Sequence, residues 1–86
     1  MSSAEFSLLS KAYEHYLESS QIHFCYEPLD GTDLFLSTEA AAGLLESGYI
    51  ANVPDSVLSD SISPNTIISF DITTLGINYM RSNRKL

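Results

Sequence analysis

Leu36-Ser37-Thr38-Glu39-Ala40-Ala41-Ala42-Gly43-Leu44-Leu45-Glu46-Ser47-Gly48-Tyr49-Ile50 sets the architecture expected of the chain. Ser37 is a good N-cap, and Glu39 suits the positive end of a helix dipole. Ala40, Ala41, Leu44 and Leu45 make an apolar side, while the small residues Ala41, Ala42 and Gly43 let a second element approach closely. Gly48 supplies the left-handed residue that ends the helix, after which Tyr49 and Ile50 fold back as core. A short helix that stops at a glycine and runs into a strand is the reading. Its complement is Ile67-Ile68-Ser69-Phe70-Asp71-Ile72-Thr73-Thr74-Leu75-Gly76-Ile77-Asn78-Tyr79-Met80. There Ile68, Phe70 and Ile72 alternate onto one face of a strand, and Thr73 caps a last helix with Leu75, Ile77, Tyr79 and Met80 as its apolar residues.

Toward the N-terminus, Ser2-Ser3-Ala4-Glu5 has the form of a capping box. Phe6, Leu9, Tyr13, Tyr16 and Leu17 follow in steps that make one apolar stripe, with Lys11, Glu14 and Glu18 largely off it. The Tyr13/Tyr16 pair reads as core packing, with a docking face as the alternative. Ser19-Ser20-Gln21 ends that helix. Ile22-His23-Phe24-Cys25-Tyr26 alternates as a strand, Ile22, Phe24 and Tyr26 on one face and His23 and Cys25 on the other. Pro28-Leu29-Asp30-Gly31-Thr32-Asp33 is the strongest turn signal in the chain. Leu34-Phe35-Leu36 reads either as a strand closing a hairpin, which the reading favours, or as a helical turn. Residues 51–65 are rich in Ser, Asp and Pro, long for a structureless connection, and fit a wing-like excursion or a short helix at residues 55–58.

The chain has 86 residues, 44% of them hydrophobic, with five Tyr and four Phe, so one domain with a compact core is expected. Residues 1–80 read as that domain and residues 81–86 as a short basic C-terminal tail. Eleven acids stand against four bases, a formal net charge of −7. Arg81, Arg84 and Lys85 fall at the end, so residues 1–80 hold all 11 acids against Lys11 alone, 1 − 11 = −10. Such a body repels a phosphate backbone and favours cations or basic proteins. Cys25 is the one cysteine, so no intrachain disulfide forms; a small buried apolar residue is its expected role, a reactive thiol the alternative. The sequence shows neither a bilayer-spanning apolar run nor a signal-peptide pattern, and a soluble cytoplasmic protein is expected.

The two quoted stretches resemble the closing half of winged-helix domains of the PadR and MarR kind and of small phage-encoded relatives. In those the recognition helix ends at an L-x-x-x-G-Y/L-I step, matched by residues 44–50. The wing ends in y-x-I/L-T-x-x-G-x-x-Y/L-L, matched by residues 70–80. The resemblance covers roughly residues 36–83 and implies an α+β winged-helix-like domain: helix, β segment, helix, two-stranded wing, C-terminal helix. It departs from the pattern in two ways. The segment where a second helix belongs holds a β-rich run and a Pro/Gly turn. The would-be recognition helix, residues 38–47, carries Glu39 and Glu46 and no Lys, Arg, Asn or Gln to read bases.

No catalytic set, metal site or cofactor is expected. His15, Glu18 and His23 fall short of a converging ligand set. Cys25 and His23 share a strand face, but the sequence names no orienting acid or oxyanion hole beside them. Asp30 and Asp33 around Gly31 lack the calcium-loop pattern. The function expected is an acidic protein-interaction module, such as a phage or mobile-element inhibitor that presents carboxylates to a nucleic-acid-binding host protein. Its candidate residues are Glu14, Glu18, Glu27, Asp30, Asp33, Glu39 and Glu46, with Asp55 and Asp60 on the loop. The alternative is a DNA-binding transcriptional regulator using Arg81, Arg84 and Lys85, doubled in a homodimer.

Overall fold

The Ser2 hydroxyl accepts from the Glu5 amide at 3.2 Å while the Glu5 carboxylate accepts from the Ser2 amide at 2.7 Å. This reciprocal cap starts α1 (Ser3–Ser19), which ends at Ser20 in the left-handed region with φ 60°. The computed structural model describes residues 1–58 and 66–83. α1 buries Leu8, Leu9, Ala12 and Tyr13, while Phe6 and Leu17 are exposed, contrary to the expected stripe. The expected stripe and the buried face share Leu9 and Tyr13, with Tyr16 partly buried beside them. The helix is turned toward the side where Ala12 leaves room for a neighbour, and this turns Phe6 and Leu17 outward.

The second helix corrects the sequence reading. α2 (Gly31–Glu46) begins at Asp30, whose side chain accepts from the Asp33 amide at 2.8 Å. Ser37 is therefore not the N-cap but a buried residue within the helix. Residues 34–36 are helical rather than a strand. The reason is local: Asp30 satisfies the Asp33 amide in the first turn, and Asp33 at the third helical position reaches back to the Leu29 amide at 2.8 Å, just before the cap. Ala40, Ala41 and Leu44 face inward, and Leu45 is only partly buried.

β1 (His23–Tyr26), β2 (Ile50–Ala51) and β3 (Ile68–Ile72) form one antiparallel sheet in the order β1–β3–β2. Phe24 pairs with Phe70, Tyr26 with Ile68 and Ile50 with Ile72, so these side chains share the face covered by α1 and α2. His23 pairs with Asp71 and Cys25 with Ser69 on the opposite, open face. Phe70 is fully buried, its ring 5.7 Å from that of Phe24, which in turn stands 5.6 Å from His15 of α1. Between β2 and β3 lies α3 (Asp55–Leu58), at the place expected for a short helix; its Val57 is buried in the core. The rest of the expected loop, residues 59–65, lies outside the described residues.

α4 (Thr74–Asn83) is joined to the end of α2 through the two motif stretches. Gly48 adopts φ 83°, as expected for a helix-ending glycine. The Thr73 hydroxyl donates to the Gly48 carbonyl at 2.7 Å and accepts from the Gly76 amide at 3.1 Å. The Thr73 amide donates to the Tyr49 carbonyl at 3.1 Å. Gly76 lies so close to that carbonyl that a Cβ would overlap it. The spacing of Gly48, Thr73 and Gly76 is thus a single mechanical joint, with the Tyr49 and Tyr79 rings 4.9 Å apart beside it. α4 continues through Arg81 to Asn83, so the division between domain and tail drawn at residues 80 and 81 falls inside a helix. The whole is a small α+β domain.

Candidate functional site: an acidic helix face and a thiol on the open sheet

The candidate acids divide by what their carboxylates do. Asp30 caps α2. Asp33 accepts from the Tyr26 hydroxyl at 2.5 Å, the Leu29 amide and, more distantly, the Ser37 hydroxyl. Those bonds hold its carboxyl below the ordinary carboxylate range, the Tyr26 hydroxyl being the largest cause, and the bond to Asp33 in turn pushes the Tyr26 phenol up. Asp33 thus ties β1 to the start of α2 and Asp30 caps that helix, tasks that the charge count did not reveal. Lys11 stands beside them, its ammonium 5.6 Å from the centre of the Tyr26 ring and 3.0 Å from the Ser7 hydroxyl.

Glu14, Glu18, Glu27, Glu39 and Glu46 are exposed, as is Asp55. Glu14 and Glu18 lie one turn apart on α1, Glu39 and Glu46 two turns apart on α2, and Glu27 just past β1. Two pairs thus lie on two different helices, with Glu27 after β1 and Asp55 on α3. Asp60 lies outside the described residues, as do Arg84 and Lys85; Arg81 is exposed in the last turn of α4.

The outer side of α2 has a distinct composition. Thr32, Phe35, Glu39, Ala42 and Glu46 recur at steps of three and four and are all exposed. Phe35 is 61% exposed and the adjoining Leu36 47%. Leu29, just before the helix, is 86% exposed. A shallow groove between Ser2, Ser3, Ala4 and Glu5 of the first turn and Leu36, Glu39, Ala40 and Ala42 of α2 continues this surface. Reading residues 34–36 as a strand concealed this stripe, since it separated Phe35 and Leu36 from the glutamates that follow them.

The open sheet face holds a second constellation. Cys25 is exposed there, not buried as expected. Strand alternation puts it opposite Phe24 and Tyr26, and among the described residues no helix covers that face. Its Sγ stands 3.5 Å from His23 Nε2, and His23 Nδ1 stands 2.8 Å from Asp71 Oδ1. Asp71 Oδ2 accepts from Asn52 Nδ2 at 2.7 Å. Asn52 sits just after β2 with φ 58°, a left-handed conformation that Asn tolerates. The Asn52 bond first, and the His23 bond second, hold the Asp71 carboxyl below its ordinary range. The orienting acid that the sequence did not name is therefore Asp71. Its signal was present, because alternation places Asp71 opposite Ile72 and Phe70; the pairing of β1 with β3 brings it to His23.

Among the described residues no group of three or more His, Cys, Asp or Glu side chains could hold a metal ion. Asp71 and Cys25 address opposite nitrogens of the His23 ring and so do not converge on one point. No helix among the described residues is long and apolar enough to cross a membrane. Comparisons with known protein families, with curated proteins and with solved structures find no match to the chain.

Proposed function

We propose that this chain is a small acidic protein-interaction module that binds a basic, nucleic-acid-binding protein through the outer face of α2. The observation that carries the reading is the exposed stripe of that helix. Glu39 and Glu46 flank Ala42 and follow Phe35 and Leu36, so apolar anchors and carboxylates lie on one rigid element. Apolar side chains at the centre of an interface supply most of its affinity, while charge complementarity steers the encounter and selects the partner. The net charge of −7 adds long-range attraction for a basic surface. An inhibitor of the phage or mobile-element kind, covering the nucleic-acid channel of a host protein, is the form of this reading that uses all of these features.

The alternative of a winged-helix DNA-binding regulator draws on the strand order β1–β3–β2 and on the β2–β3 pair that would form a wing. Against it, one continuous helix, α2, occupies the place where a helix-turn-helix needs two. That helix also carries no cationic or amide side chain. Capture from a host lysate tests the reading. The expected partner is a basic protein retained at about 50 mM salt, released at high salt or by added DNA, and lost with the E39K/E46K variant. A partner indifferent to salt, DNA and charge reversal overturns it, and a low-salt mobility shift of DNA by the chain itself favours the alternative.

A further inference from the structure

The sheet register places three chemically complementary side chains in a line on the open face. His23 and Asp71 are direct cross-strand partners and Cys25 lies two residues along β1 on the same side. A carboxylate can only accept, so His23 Nδ1 carries the proton that it donates to Asp71. In the neutral ring Nε2 is then the lone-pair nitrogen, and it faces the Cys25 thiol at 3.5 Å. Nucleophile, base and orienting acid thus stand in the order that activates a sulfur nucleophile. Asn52 fixes the outer oxygen of the acid. The titratable groups of this line are Cys25 and His23 on β1 and Asp71 on β3, with Glu27 just beyond β1 and the neutral Asn52 beside β2.

We propose that Cys25, His23 and Asp71 form a nucleophilic thiol site that exchanges with low-molecular-mass disulfides. The surroundings select this chemistry over acyl transfer. Acyl transfer builds an oxyanion that needs aimed donors, whereas the amides of a sheet lie in its plane, along the ladder. Disulfide exchange needs only an activated thiol and an open approach, and Cys25 is exposed. The Sγ proton passes to His23 Nε2 as the sulfur's electron pair forms a bond to one sulfur of RS–SR. The S–S bond breaks, and the departing thiolate takes the proton from the imidazolium and leaves as RSH. The product is the mixed disulfide Cys25–S–S–R, and the incoming disulfide is the oxidant.

The test is the second-order rate of the full chain with 4,4′-dithiodipyridine and with oxidised glutathione from pH 5.5 to 9. The comparison is the same chain unfolded in guanidinium. With His23 Nε2 placed to take the Sγ proton, the folded chain is expected to react at least about tenfold faster than the unfolded one at pH 6.5. The advantage should shrink as the pH approaches 9. H23A should abolish the acceleration, and D71N should reduce it and move the pH profile, with circular dichroism confirming that both variants fold. His23 is an exposed residue, so its removal leaves the core untouched. Mass spectrometry should place the glutathione adduct on Cys25. Equal rates for folded chain, unfolded chain and H23A at every pH overturn the proposal, as does a D71N profile that superimposes on the parent's.

Discussion

Replacing Gly76 with alanine puts a methyl group into the joint between α2 and α4. An ideal Cβ there overlaps the Tyr49 carbonyl oxygen and stands 3.0 Å from Ile72 Cγ1. The carbonyl cannot retreat freely, because it accepts from the Thr73 amide and leads directly into the buried Ile50. Overpacking of this kind costs about 1–3 kcal/mol, and alanine returns up to about 1 kcal/mol of helix propensity. The net expectation is a loss of about 1–2 kcal/mol, or a Tm lower by roughly 5–15 °C for a domain of this size. Gly43 provides the internal control. A Cβ on it meets the end of the flexible Glu5 side chain rather than backbone. The carboxylate can swing aside at the expense of its bond to the Ser2 amide, and the helix gain offsets that loss, leaving Gly43→Ala within about 1 kcal/mol of the parent. Thermal and urea unfolding followed by circular dichroism measure both. A Gly76→Ala chain as stable as the parent, or more stable than Gly43→Ala, refutes the rigid joint.

Adjacent leucines of α2 should separate by depth: Leu44→Ala is expected to cost about 2–5 kcal/mol and Leu45→Ala clearly less, read from urea midpoints. The carboxyls of Asp33 and Asp71 lie below their ordinary values in the folded chain, so each contributes stability that is present above the ordinary carboxylate range and lost as pH falls through the folded value. The Tm should therefore decline below about pH 4, and Asp33→Asn should be less stable than the parent at pH 7 and decline less steeply in acid. Tyr26 has the opposite sign, its phenol being raised in the folded state. Its contribution is complete below about pH 10 and lost above it, and Tyr26→Phe should remove that alkaline component of unfolding.

Much of the scaffold was legible in the residues because local chemistry decides it. The Ser2/Glu5 cap, the positive φ at Gly48, the Thr73 cap and the inward face of β3 each follow from a few neighbouring side chains. The start of α2 was misread because Asp30 and Asp33 in a Pro/Gly context satisfy turn and helix-cap chemistry alike. The alternatives diverge only once Tyr26 and Leu29 supply partners to Asp33. Burial of Cys25 was misjudged for a different reason: alternation predicts two faces but not which of them a helix covers. The candidate acids were a list of charges. Folding assigned Asp30 and Asp33 to structural bonds and left Glu39 and Glu46 beside Phe35 on a helix face that alternation and charge alone could not outline. The Cys25–His23–Asp71 line depends on the pairing of β1 with β3, a long-range register that no local pattern specifies.

The proposed seat of a protein partner is the outer face of α2. A photo-crosslinking residue placed at Ala42, between Glu39 and Glu46, tests it directly in host lysate, with the same residue at Cys25 on the open sheet face as the control. Position 42 is expected to yield a discrete cross-linked basic protein and position 25 none, and the product should disappear in the E39K/E46K background. Cross-linking from position 25 in place of position 42, or a product at position 42 that survives charge reversal, contradicts it.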